Sequence, residues 1–123
     1  MITFHNLGIN GRLGNQLFQY AALRGLSDKC GYDLCIPDPK DRTWHGQSCL
    51  LNEFNIKAKR ESLSGTTINK LYQEPDYMKI DNNFFNLPDD ISIDGYFQSL
   101  FYFNHCSSTL REEFKPKKKY MDS

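Results

Sequence analysis

An apolar run, Ile2-Thr3-Phe4-His5-Asn6-Leu7, leads directly into a glycine-bearing turn and then into residues patterned as a helix as far as about Lys29. A strand, a tight turn and a helix in unbroken succession commit the start of the chain to an α/β arrangement. They also set unpaired backbone N–H groups and the positive end of a helix dipole beside the turn, where an anion is the natural guest. Leu13, Leu17, Ala21 and Gly25, with Phe18, Ala22 and Leu26 one row over, form a broad stripe at helical spacing. The small members Ala21, Ala22 and Gly25 predict a helix lying close against a sheet. Gly31 is the expected left-handed stop. Asp33-Leu34-Cys35-Ile36 then reads as a second strand, ended by Pro37-Asp38-Pro39. Together these segments predict one parallel, right-handed βαβ unit.

The remainder is less strongly patterned. Between Lys40 and Asn55 the expectation is a loop or short helix anchored by Trp44, Leu50, Leu51 and Phe54. Lys57 to Thr67 reads as an exposed polar connection, and Tyr77-Met78-Lys79-Ile80 as a strand. After the turn cluster Asn86-Leu87-Pro88-Asp89-Asp90, the alternation from Ile91 predicts a strand through about Gly95. Ser99 is placed to cap a helix carrying Phe103, Cys106, Leu110 and Phe114 on one face, which Pro116 ends. The basic run Lys115 to Lys119 reads as a solvated tail.

Composition narrows the function. The 123 residues fit a single domain, 1–123, and fifteen basic side chains balance fifteen acidic ones. Net charge zero gives no electrostatic case for a nucleic acid or an anionic membrane as the main partner. No apolar run approaches the roughly 20 residues that cross a bilayer, so the expectation is a cytoplasmic protein, with peripheral membrane association left open. Cys30, Cys35, Cys49 and Cys106 are separated by four, thirteen and fifty-six residues, which matches no paired zinc pattern. They read as reduced, structural thiols, and no metal site is expected.

The glycines carry the chemistry. Gly8, Gly11 and Gly14 miss the dinucleotide fingerprint by one residue, because Ile9 stands where its first glycine belongs. No lysine followed by serine or threonine succeeds them, so a P-loop fails as well. What remains is a turn bringing Arg12, Asn15 and Gln16 to the helix N-terminus. Arg12 can fork onto a phosphate or carboxylate, and the two amides can serve sugar hydroxyls or phosphate oxygens. The alternative is that Asn15 and Gln16 simply cap the helix and satisfy loop backbone.

The stretch Gly11-Arg12-Leu13-Gly14-Asn15-Gln16-Leu17-Phe18-Gln19-Tyr20-Ala21 resembles the N-terminal motif of the α-1,2-fucosyltransferase family, G-[GR]-L-G-N-Q-[ML]-F-Q-Y-A. Downstream, Gly95-Tyr96-Phe97-Gln98-Ser99 with Tyr102-Phe103 after it resembles the family's G-Y-[WF]-Q-S-x-x-Y-F segment, and Leu110 to Phe114 is similar to the family's next stretch. Leu51 to Ile56 fits a weaker L-x-x-F-x-I pattern. The family also carries a later H-x-R-R-x-D segment that binds the GDP-fucose diphosphate, whereas no two arginines are adjacent here. The resemblance therefore implies a Rossmann-like βαβ-type domain corresponding to the N-terminal half of an inverting, GT-B-like glycosyltransferase. Its partners would be a nucleotide sugar, GDP-fucose, and a galactoside acceptor, with no bound cofactor or metal, and the chain alone would be inactive. A stand-alone carbohydrate- or nucleotide-binding module is the competing reading; a Rossmann-like oxidoreductase is a weaker third.

By resemblance Gly11, Arg12, Gly14, Asn15 and Gln16 line the cleft, and no catalytic base is identified. Asp38 lies beyond the carboxyl end of the second strand, where sheet ligands bind, although a carboxylate between two prolines also serves a turn. Gln98 is placed to face the same cleft or to pair with backbone. Tyr96 and Phe97 read as core rather than as sugar-stacking platforms, because aromatics near a strand end usually pack. His5 reads as a satisfied strand residue, and His45 as exposed.

Overall fold

The computed structural model describes residues 1–7, 13–37, 43–44, 47–48, 54–61, 68–76 and 78–115. Its elements are α1 (Leu13–Cys30), β1 (Cys35–Pro37), β2 (Thr43–Trp44), β3 (Gln47–Ser48), β4 (Lys59–Glu61), β5 (Lys70–Gln73), β6 (Ile91–Asp94) and α2 (Ser107–Glu113). Short 3-10 turns occupy Phe84–Asn86, Leu100–Tyr102 and Asn104–Cys106. β2 and β3 form a small antiparallel pair.

The other strands are parallel, and the opening run joins them. β1 pairs with β4, and β5 with β6. Ile2 bridges to Leu34 and Thr3 to Ser92, both in parallel sense. On one side Ile2 N–H donates to Asp33 O at 2.7 Å and Ile2 O accepts from Cys35 N–H at 3.0 Å. On the other, Thr3 N–H donates to Ile91 O at 3.1 Å and Thr3 O accepts from Ile93 N–H at 2.9 Å. The parallel segments thus run in the order β4, β1, residues 2–3, β6, β5. The chain leaves the opening segment on one side and returns on the other. Strand order reverses at that segment, and such switch points are where open α/β sheets bind ligands, beyond the carboxyl ends of the strands.

Burial follows position. Ile2, Thr3 and Phe4, all of β1, and Ile91 to Ile93 are buried, the continuous pattern of parallel strands inside a fold. β5 is exposed at three of its four residues. Tyr20 to Leu23 and Leu26 of α1 complete one core with Ile36, Ile93, Phe97 and Tyr102. Within it Phe84 lies 4.9 Å from Tyr102 and 5.4 Å from Phe97, ring centre to ring centre. The described cysteines are free, with Cys35 and Cys106 buried.

The expected helix, the parallel strand–helix–strand opening and the strand from Ile91 are present. Gly31 is left-handed at φ 74° and closes α1 through Gly31 N–H to Ser27 O at 2.8 Å. Several expectations are corrected. Gly25 does approach a neighbour closely, but the neighbour is Tyr102: a Cβ there would stand 1.9 Å from Tyr102 O. Phe18 is exposed, not part of the buried stripe. Residues 78–80 form a turn, because Asp76 Oδ1 accepts from Met78 N–H and Asp76 O from Lys79 N–H, and the strand lies earlier, at β5. Within the expected 57–67 connection lies β4, which β1 organises by pairing. Ser99 does cap, its Oγ accepting from Phe101 N–H at 3.2 Å, but it caps a single 3-10 turn; Phe103, at φ −147°, interrupts the path and α2 begins only at Ser107. Phe54 is half-buried against the core; Leu50 and Leu51, like the side chain of Trp44, Pro116 and the basic tail beyond Lys115, lie outside the described residues. Among the described residues no helix is long and apolar enough to cross a membrane.

Candidate functional site

The two central segments deliver their carboxyl ends to one place. Beyond residues 2–3 the chain runs through His5 and Asn6, and beyond β6 through Gly95, Tyr96 and Phe97. Asn6 Nδ2 donates to Asp94 Oδ2 at 3.2 Å, and His5 N–H donates to Ser92 Oγ at 3.1 Å. The first two turns of α1 reach the same rim: Gln19 Nε2 donates to Gly95 O at 3.0 Å, and Asn15 Oδ1 accepts from Gln98 Nε2 at 2.9 Å.

The turn after β6 is held in an unusual shape. Gly95 has φ 151°, and a Cβ at that position would lie 2.5 Å from the Glu74 Cβ. Phe97, fully buried, has φ 51°, which a bulky residue adopts only when its surroundings impose it. Glu74 supplies that constraint: its Oε1 accepts from Tyr96 N–H at 3.0 Å and Phe97 N–H at 3.3 Å, while its own N–H donates to Asp94 O at 2.8 Å. Between the carboxyl ends of β5 and β6 lies a cleft of about 380 Å³, with Gln73, Glu74, Asp76, Asp94 and Tyr96 among its walls.

Of the residues singled out in the sequence, Asn15 and Gln98 come together. Gln16 is buried beside them in the chain, at 2% exposure, and Gly14 is exposed with open space where a Cβ would be. The Asn15 carboxamide oxygen serves Gln98 and not the helix N-terminus as a cap. Gly11, Arg12, Asp38 and His45 lie outside the described residues. Phe97 is core as expected; Tyr96 is corrected, since it is 41% exposed. Sequence reasoning did not single out Gln19, Asn6, Asp94, Glu74 or Asp76. The Gln19 signal was its place within the opening motif. Asp94 stands directly before the second motif, and nothing local marks Glu74 or Asp76, which follow the strand that pairs with β6.

Chemically the rim offers carboxamides able both to donate and to accept, and the cleft offers carboxylates. Among the described residues no group of three His, Cys, Asp or Glu side chains converges to hold a metal ion. No family model, curated protein or solved structure matches the chain.

Proposed function

We propose that this chain is a glycosyltransferase-type domain acting on a nucleotide sugar, with GDP-fucose as donor and a galactoside as acceptor, the transfer proceeding with inversion. One observation carries the reading. The two segments that resemble the fucosyltransferase motifs are 76 to 83 residues apart, yet they meet through Gln19 with Gly95 and Asn15 with Gln98. Motifs that serve one chemistry are expected to share a site, and this one sits where open parallel sheets bind ligands. On this reading the carboxamides of Asn15 and Gln98 face the transferred sugar, and an arginine pair from a later segment would hold the departing diphosphate, whose charge needs such donors.

The coding sequence read beyond Ser123 should then contain an H-x-R-R-x-D segment. A chain including it should transfer fucose from GDP-fucose to lactose, and Gln98→Ala should lower kcat/KM by about tenfold or more. Residues 1–123 alone should give no transfer. Absence of transfer by the extended chain would overturn the transferase reading, and saturable sugar binding without transfer would favour the module. Robust transfer by residues 1–123 would refute the division of labour.

A further inference from the structure

β4 turns one charged side chain toward the interior. Along the segment that enters and forms it, Ile56 and Ala58 are each 6% exposed while Lys57 and Lys59 are exposed, so the period of two puts Arg60 on the inward row. Arg60 pairs with buried Ile36 of β1 and stands one residue before the carboxyl end of β4. Its Nε and Nη2 are enclosed and have no hydrogen-bond partner among the described residues. A guanidinium cannot shed its charge in a protein, and a charge taken out of water without a partner is costly. Enclosed donors of this kind ask for an ion or a water.

The identity of the two donors narrows the guest. Nε and Nη2 lie on one edge of the guanidinium and point the same way, the pair that meets two oxygens of one carboxylate or phosphate. Arg24 shows that use within this fold: its Nε donates to Glu113 Oε1 at 2.8 Å and its Nη2 to Glu113 Oε2 at 3.2 Å. Arg60 offers the same two atoms together. A water has one oxygen and no charge, so it matches neither the fork nor its sign. An inward charge also discourages pairing at the edge of a sheet, and β4 is outermost among the described parallel strands. That use needs no particular pair of donors.

We propose that Arg60 is an oxyanion site, its Nε and Nη2 gripping two oxygens of a carboxylate or phosphate borne by a small molecule. Arg60 keeps partial exposure as a whole residue, which gives a small ion a way in. The site is separate from the rim where Asn15 meets Gln98. Three strand steps divide β4 from β6, about 14 Å at the usual spacing, and the proposal does not rest on the glycosyl-transfer reading.

The test is titration of the 123-residue chain with acetate and with inorganic phosphate, sodium chloride holding ionic strength constant, followed through the Arg60 side-chain Nε–H signal. The signal should move saturably with at least one of the two, and which one separates a carboxylate source from a phosphate source. Chloride, a single centre, should not reproduce the movement. Arg60→Lys keeps the charge without the fork and should weaken oxyanion binding about tenfold, read from the rise in urea midpoint on adding the oxyanion. Arg60→Met removes the charge; its midpoint in chloride should equal or exceed that of the native chain and should not respond to oxyanion. Should the methionine variant fail to fold, the native titration and Arg60→Lys decide. No saturable movement with either oxyanion, an equal response to chloride, or unchanged oxyanion affinity in Arg60→Lys would overturn the proposal. So would a lowered midpoint of folded Arg60→Met in chloride, which would mean that the fork already holds a carboxylate of this chain.

Discussion

Gly25 concentrates at one atom what packs this chain together. It lies within α1, where glycine costs about 1 kcal/mol relative to alanine, so its presence needs a compensating contact. The contact is the Tyr102 backbone: an added Cβ would meet its carbonyl oxygen at 1.9 Å and its carbonyl carbon at 3.0 Å, and Gly25 O meanwhile takes His105 Nε2 at 2.8 Å. Backbone cannot move aside as a side-chain tip does. Gly25→Ala should therefore lose about 3 kcal/mol despite its better helix propensity, read as a lower urea midpoint at unchanged slope. An unchanged or raised midpoint would mean that the helix and the 100–102 turn are not in this contact. Gly95 differs in kind. Its need is conformational as well as steric, and the sequence showed it only as the end of a strand and a member of a motif, because the Glu74 contact that excludes a side chain is made by pairing. The need for a small residue at Gly25 was legible, but its partner was not, because the partner is a 3-10 turn that only tertiary packing creates.

At the scale of elements, α2 is tied to α1 by a buried acid. Glu113 is 1% exposed, and its Oε1 accepts from Arg24 Nε at 2.8 Å. Its Oε2 accepts from Arg24 Nη2 at 3.2 Å, from Lys57 N–H at 2.7 Å and from the Tyr20 hydroxyl. Thus one carboxylate joins α1, α2 and the segment entering β4. Removing the arginine leaves that charge buried with too few partners, which typically costs about 3–5 kcal/mol. Arg24→Met should lose about 3 kcal/mol, and the double variant Arg24→Met with Glu113→Leu should recover part of it; a double-mutant cycle with no coupling would refute the account. The strands divide by the same logic of context. The buried strands near Ile36 and Ile93 were readable because burial on both faces demands apolar runs. β4, Lys-Arg-Glu, and β5, Lys-Leu-Tyr-Gln, carry no such run, since outer strands are defined by the neighbour they pair with. The site divides in the same way: Asn15 and Gln98 were legible within motifs, whereas nothing local marks Glu74 and Asp76, which follow the strand that pairs with β6.

For the whole molecule, burial of neutral acids sets an alkaline limit. Burial pushes the Cys106 thiol up to about 11, and burial together with the Glu113 hydrogen bond holds the Tyr20 phenol well above its ordinary range. Tyr72 is raised likewise, by burial and then by its 2.6 Å hydrogen bond to Asp81. In each case the folded state favours the protonated form more than the unfolded chain does. The stability this contributes is complete below the unfolded value and disappears as pH rises through the folded one. The window therefore opens near pH 9 for the thiol and near pH 10 for the phenols. Stability should be insensitive to these groups around neutrality; titration of the Cys106 thiol alone should remove about 2 kcal/mol by pH 11, and the phenols add to the loss from about pH 10 upward. Cys106→Ala separates the contributions: it should delay the onset by about one pH unit while leaving the steeper phenolic decline in place. Urea midpoints across the alkaline range check this, with ultraviolet absorbance reporting phenolate directly. Appearance of Tyr20 or Tyr72 phenolate before unfolding would show that these hydroxyls are not enclosed as the core and its carboxylates require.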